Sequence, residues 1–103
     1  MPKFGYTMMC EQSRPDQLVR DIQKAEEAGF DSVWSSEHHF SDYQITPQML
    51  MFLAWVAGQT TRVRLGTMVT VLPWHDPVRV AESFSVLDHL SGGRAILGAA
   101  QPR

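Results

Sequence analysis

Val63-Arg64-Leu65-Gly66-Thr67-Met68-Val69-Thr70-Val71-Leu72 is the stretch on which the fold turns. It is rich in β-branched residues, carries one glycine, and is closed by Pro73 and Asp76-Pro77, so it reads as a strand followed by a helix start. In the segment that follows, Val80, Phe84 and Leu87 recur at i, i+4 and i+7, the spacing of one helix face, and Ser91-Gly92-Gly93 ends that helix. Arg94 to Ala99 is again short and apolar. A strand, a helix and a second strand joined by a few residues form a unit that demands a parallel pairing.

The same unit repeats upstream. Phe4 to Met9 reads as a first strand, and Ser13 is placed to cap a helix whose first turn takes Pro15 and Asp16. Leu18, Ile22 and Ala25 give that helix its apolar face, Arg20, Lys24 and Glu27 its polar one, and Gly29 its stop. Phe30 to Ser36 reads as the second strand. Thr46 and Pro47 form a cap and first-turn pair for a second helix from Pro47 to about Gly58. Because that helix is apolar nearly all round, it requires cover on more than one side, and Met49, Met51, Phe52 and Trp55 are assigned to the core.

The order β-α-β-α-β-α-β implies an α/β fold with right-handed crossovers. One form is an open doubly wound sheet, but the turn from Cys10 to Pro15 contains no glycine and so lacks the dinucleotide fingerprint. The other is the (β/α)8 TIM-barrel type, which takes about 250 residues; this chain would supply the first four β strands and three helices. Four strands alone leave two open edges and an uncovered face, so a chain of this kind is expected to be a fragment or to need a partner.

Composition narrows the function classes. The 103 residues are 44% apolar and 19% charged, as in an ordinary globular domain, and nine basic against eleven acidic residues give a formal charge of -2. No basic block or stripe favours nucleic acid or an anionic membrane. The longest apolar run, Met49 to Ala57, is far shorter than the roughly 20 residues that span a bilayer. The start, Met1-Pro2-Lys3-Phe4, has no apolar signal core, and the single cysteine, Cys10, can form no internal disulfide, which suits a reducing cytoplasmic setting.

Chemistry concentrates just after the second strand, in Glu37-His38-His39-Phe40-Ser41-Asp42-Tyr43. Barrel enzymes carry their catalytic groups at the carboxyl ends of strands, which is where this cluster falls. Neighbouring side chains in a strand point to opposite faces, so only one of the two histidines enters a barrel mouth unless the strand has already ended. His38 is the favoured one, with Glu37 and His39 in support; imidazole titrates near neutrality, as proton transfer at neutral pH requires. Glu37, His38, His39 and Asp42 are all possible metal ligands, but their spacing is not that of histidines two apart on a strand or four apart on a helix, and no metal is expected. Glu82 reads as a solvated helix residue, Trp74-His75 as an uninformative loop, and His89 as a favourable charge at a helix carboxyl end.

Three stretches carry a likeness. Gly29-Phe30-Asp31-Ser32-Val33-Trp34 with Glu37-His38-His39-Phe40, then Val63 to Val69 with Val71-Leu72-Pro73, His75-Asp76-Pro77-Val78-Arg79 and Ala81-Glu82, and lastly Leu87-Asp88-His89-Leu90-Ser91-Gly92-Gly93-Arg94 resemble the bacterial luciferase-like monooxygenases, flavin-using (β/α)8 barrels. The resemblance implies that residues 1–103 are the amino-terminal half of such a barrel. It implies reduced FMN as cofactor, O2 and a small organic molecule as substrates, and His38 as the histidine that assists proton transfer and stabilises a flavin–oxygen intermediate. It places Gly66, Thr67, Met68 and Val69 on a flavin-contacting strand with a non-proline cis peptide, which would fall at Met68-Val69 and would mark the site. It also implies a glycine-rich turn with a phosphate-holding arginine after the fourth strand, where this chain has Gln101 instead. Two alternatives stand beside it: an F420-dependent hydride-transfer enzyme of the same fold, and a non-catalytic half barrel that pairs with another. A homo- or hetero-oligomer, or a missing carboxyl-terminal half, follows from the open edges.

Overall fold

The computed structural model describes residues 1–8, 14–40 and 46–101; Met9, the Cys10–Pro15 turn up to Ser13, Asp42 and Arg103 lie outside the described residues. In chain order the elements are β1 (Gly5–Thr7), α1 (Pro15–Glu27), β2 (Ser32–Ser35), α2 (Met49–Ala57), β3 (Arg64–Thr67), β4 (Thr70–Val71), α3 (Pro77–Leu90), β5 (Ala95–Ile96) and β6 (Ala99–Ala100), with a 3-10 turn at Leu72–Trp74 between β4 and α3. β1, β2, β3 and β5 form one parallel sheet in that order. The strand order never reverses among the described residues, so every crossover steps the same way. A doubly wound sheet turns back at a switch point, and the described strands contain none.

The register sorts the side chains. Tyr6, Val33, Leu65 and Ala95 align across the four strands, as do Thr7, Trp34, Gly66 and Ile96 one residue further on. By strand alternation the two rows lie on opposite faces. The first row belongs to the core, which joins Val33, Leu65 and Ala95 to Ile22 of α1, Leu53, Val56 and Ala57 of α2 and Leu87 of α3. On the second face the Trp34 indole lies across the strands: a Cβ at Gly66 would come within 2.4 Å of its ring and one at Gly5 within 2.6 Å.

Local signals explain the helix ends, with two corrections. At α1, Gly29 sits at φ +95°, its N–H bonded to the Glu26 carbonyl and that of Phe30 to the Ala25 carbonyl, the Schellman arrangement that glycine permits. α3 starts as read, with Asp76 accepting from the Val78 N–H and Pro77 in the first turn. Thr46, by contrast, does not cap α2. The N-cap position is Gln48, without a side-chain bond, and the Thr46 carbonyl instead accepts from the His38 N–H at 3.4 Å. The N-cap position of α1 is Arg14, without a side-chain cap; Ser13, read as the cap, lies outside the described residues.

The core assignment for α2 is half corrected. Met49 is buried and Phe52 packs against the core, but Met51 is 72% exposed and Trp55 37%. β3 and α3 cover two sides of this helix, and Met51 and Trp55, four apart on the remaining side, meet no covering element among the described residues. The strand read as Val63 to Leu72 is also two strands. β3 ends at Thr67, a cis peptide joins Met68 to Val69, and β4 resumes to pair with β6 and not with the main sheet. The fourth strand splits in the same way around Leu97-Gly98.

Two clamps tie the helices to the sheet at its amino ends. The Arg94 guanidinium donates to the carbonyls of Ala57, Thr60, Val63 and Ser91 and to the Thr60 hydroxyl, joining the last residue of α2 and the C-cap residue of α3 to the segment that leads into β3. The Glu26 carboxylate accepts from the backbone N–H groups of Thr61, Arg62 and Val63. Burial pushes its carboxyl up, but the three backbone donors and the Arg62 charge outweigh that and hold it below the usual carboxylate range.

Candidate functional site

The polar cluster is built beyond the carboxyl end of β2 and around β4 and the 3-10 turn that follows it. β2 ends at Ser35, and the chain leaves the sheet through Ser36 and Glu37. The Glu37 side chain is only 1% exposed. Its Oε2 lies 2.5 Å from Nε2 of His39, and its Oε1 lies 2.8 Å from Nε2 of His75 and 3.3 Å from the Val71 N–H. Each carboxylate oxygen accepts from an imidazole that carries a proton on Nε2. His39 also stacks on the Trp74 indole, ring centroids 4.2 Å apart and planes within 16°. Contacts on two sides fix the His39 ring plane.

His75 was the residue that the reading of the sequence passed over. It stands 38 residues from Glu37, outside any motif spacing that would pair the two. The 3-10 turn Leu72–Trp74 brings it round, with the His75 N–H bonded to the Leu72 carbonyl. The available signal was chemical: a histidine directly before the Asp76-Pro77 helix start, at the carboxyl end of a strand, where barrel folds place function.

His38 is not part of this trio. It is half-buried, its backbone N–H is tied to the Thr46 carbonyl, and it has a further interaction of its own. Glu37 and His39 are brought together; His38 lies between them in the chain and apart from their hydrogen bonds.

A second network lies beside the first. Thr67, the last residue of β3, donates its hydroxyl to the Gly98 carbonyl at 2.7 Å, while its Oγ accepts from the Gly98 N–H and from the Thr70 hydroxyl. The Thr70 N–H also bonds to the Gly98 carbonyl. A Cβ at Gly98 would stand 2.2 Å from the Thr67 carbonyl oxygen, so the close approach of these strand ends requires glycine. Gly66 faces the Trp34 ring, Thr67 is buried in the network, Met68 is 46% exposed and Val69 half-buried around the cis bond. Gln101 is exposed at the end of the described residues. Ser35 is wholly buried, its hydroxyl without a hydrogen-bond partner among the described residues. Between these strand ends, α2 and α3 runs a groove of about 610 Å³ lined by Glu37, Thr70, Trp74 and His75 on one side and by residues such as Met51 and Arg79 on the other.

With this geometry in hand, comparison with known proteins is informative. The family described as luciferase-like monooxygenase matches residues 2–101. An F420-dependent glucose-6-phosphate dehydrogenase of Kineococcus radiotolerans is 42% identical over 102 residues, 93% of this chain and 30% of its own length. The alkanal monooxygenase alpha chain of Photorhabdus laumondii is 35% identical over 97 residues, 94% of this chain and 26% of its own. Among solved structures, the monooxygenase RslO1 from Streptomyces bottropensis superposes with a TM-score of 0.82 at 30% identity, covering 95% of this chain and 32% of that one. The chain thus spans about a third or less of the length of these relatives, which include both monooxygenases and an F420-dependent oxidoreductase. No helix among the described residues is long and apolar enough to cross a membrane. On the match over nearly its whole length, the chain belongs to the luciferase-like monooxygenase family.

Proposed function

We propose that residues 1–103 form the amino-terminal part of a (β/α)8 oxidoreductase barrel, and that the enzyme is a monooxygenase using reduced FMN and O2 on a small organic substrate. The observation that supports this reading most directly is the convergence of Glu37, His39 and His75 beyond the carboxyl ends of the strands. Bound flavin would supply the electrons with which oxygen is activated. The chain's own residues do the rest. Glu37 and Trp74 set the orientation of His39, and the segment that Glu37 anchors presents His38, the proposed proton-transfer residue, from the end of β2.

The residues fit a flavin ring better than they fit its phosphate. Met68 beside the cis bond and Leu97 at the end of β5 leave exposed apolar side chains against which a planar ring can lie. At the end of β6, Gln101 offers no positive charge, so the phosphate would be held by residues beyond this segment. The test is turnover of the protein that carries this segment with reduced FMN, 18O2 and candidate aldehydes, ketones or alkenes. Label in the organic product is expected, with a loss of about 10²-fold or more in His38→Ala; unlabelled product, or full activity in His38→Ala, overturns the reading.

A second reading has a specific observation behind it: the 42% identical relative is F420-dependent. In that case the same imidazoles would serve a hydride transfer without oxygen. Parallel titrations with FMN and F420 separate the two, since the resident cofactor is expected to bind at least about tenfold more tightly, equivalent to about 1.4 kcal/mol.

A further inference from the structure

We propose that Glu37, His39 and His75 constitute a binding site for a borderline divalent cation of the Zn2+ or Co2+ type. This stands independently of the flavin reading and uses only the placement of three side chains. The ligating atoms all lie within 4.8 Å of one another. They come from two segments of the chain, so folding assembles the site and no local motif announces it. Spacing along the sequence argued against a metal because it considered only residues 37 to 42; His75 supplies the donor that spacing could not.

The donor chemistry selects the ion. Two imidazole nitrogens and one carboxylate suit zinc, cobalt or nickel, whereas magnesium and calcium prefer all-oxygen shells. At present each carboxylate oxygen faces a different imidazole Nε2, at 2.5 and 2.8 Å. Zinc bonds of about 2.0–2.2 Å to N and O put neighbouring ligand atoms roughly 3.3 Å apart in a tetrahedron, so the two hydrogen-bonded pairs open by roughly 0.5–0.8 Å while ligand atoms up to 4.8 Å apart draw together. To bind the ion, each imidazole offers an Nε2 lone pair, so a proton held there passes to Nδ1 or to solvent.

Access and orientation are both provided. The imidazoles are 16% and 21% exposed while the carboxylate is 1% exposed, so the ion enters from the imidazole side, through the groove between α2 and α3 that Glu37 and His75 line. The Trp74 stack holds the His39 ring plane. The buried carboxylate is held from behind by the Val71 N–H, the kind of outer support that fixes a metal ligand.

Occupancy would withdraw both imidazoles from Glu37 as hydrogen-bond donors, so in the whole enzyme the ion is expected to act as an inhibitor. The direct test needs no turnover. The chelator-treated 103-residue protein is titrated with ZnCl2 by calorimetry and with CoCl2 by visible absorption. One equivalent of zinc, intense four- or five-coordinate cobalt bands, and no heat with MgCl2 or CaCl2 are expected. His75→Ala and His39→Ala should each weaken zinc binding by about tenfold or more, while His89→Ala, which alters an exposed helix residue, should leave it unchanged. Wild-type affinity retained in His75→Ala and His39→Ala, or lost in His89→Ala, overturns the proposal. The cobalt spectrum serves as the variant-free check: if wild type shows only the weak bands of six-coordinate aquo-cobalt, the site does not exist.

Discussion

A single hydroxyl shows how much of this site rests on individual atoms. The Thr67 Oγ donates once and accepts twice, joining the ends of β3, β4 and β6. Thr67→Val keeps the shape and leaves the Gly98 N–H and Thr70 hydroxyl without that partner, at a cost of about 1–3 kcal/mol that urea denaturation will register. Gly98→Ala should be worse than Gly66→Ala. At Gly98 the added methyl meets a backbone carbonyl, while at Gly66 it meets the Trp34 side chain, which can turn. Gly66→Ala is therefore expected to show a changed Trp34 emission, measured with Trp55 and Trp74 replaced by Phe, and the smaller shift in urea midpoint. The likeness to flavin enzymes implies a cofactor contact at Gly66; within the described residues its close neighbour is the Trp34 indole.

At the scale of elements, helix-to-sheet attachment is carried by Arg94 and Glu26. Arg94→Ala removes the donors for four carbonyls at and beyond the end of α2, and a loss of about 2–4 kcal/mol in unfolding free energy is expected. Arg94→Lys should recover little, because an ammonium cannot reproduce the planar fork. Glu26 gives the fold a defined acid limit. Its carboxyl is held low in the folded chain, so its contribution is complete above the ordinary glutamate value and is lost as pH falls through the lower, folded value. Glu26→Gln should therefore flatten the fall of thermal midpoint on the acid side and lower the midpoint at neutral pH. Neither clamp is legible in the sequence, where Arg94 only opens the fourth strand and belongs to a resemblance. Apart from the Ser91 carbonyl, their backbone partners are 31 to 37 residues away, and no side-chain pattern encodes a distant carbonyl.

For the molecule as a whole, the described sheet is covered by helices on one face and carries Trp34 and Ile96 on the other. Large apolar side chains also stand exposed on the helical side, among them Met51, Val86 and Leu90. The 103-residue chain is accordingly expected to bind a hydrophobic dye such as ANS in its native state, an effect that should fall when the same segment is measured within a longer barrel; a dye-silent 103-residue chain would show these faces covered by self-association or rearrangement. The sequence by itself determined the alternation of strands and helices, the carboxyl end of α1 and both ends of α3, the core faces of α1 and α3 and the place of Glu37-His38-His39 at a strand end. Those features follow from periodicity, from capping residues and from glycine's access to positive φ, all of which act over a few residues. The break of the third strand into β3 and β4, the exposure of Met51, the hold of Glu37 on His75 and the closure of Thr67 onto Gly98 belong to the tertiary structure alone. Each depends on which distant backbone or side chain arrives within about 3 Å, and that is set by sheet register and crossover geometry, which local sequence does not record.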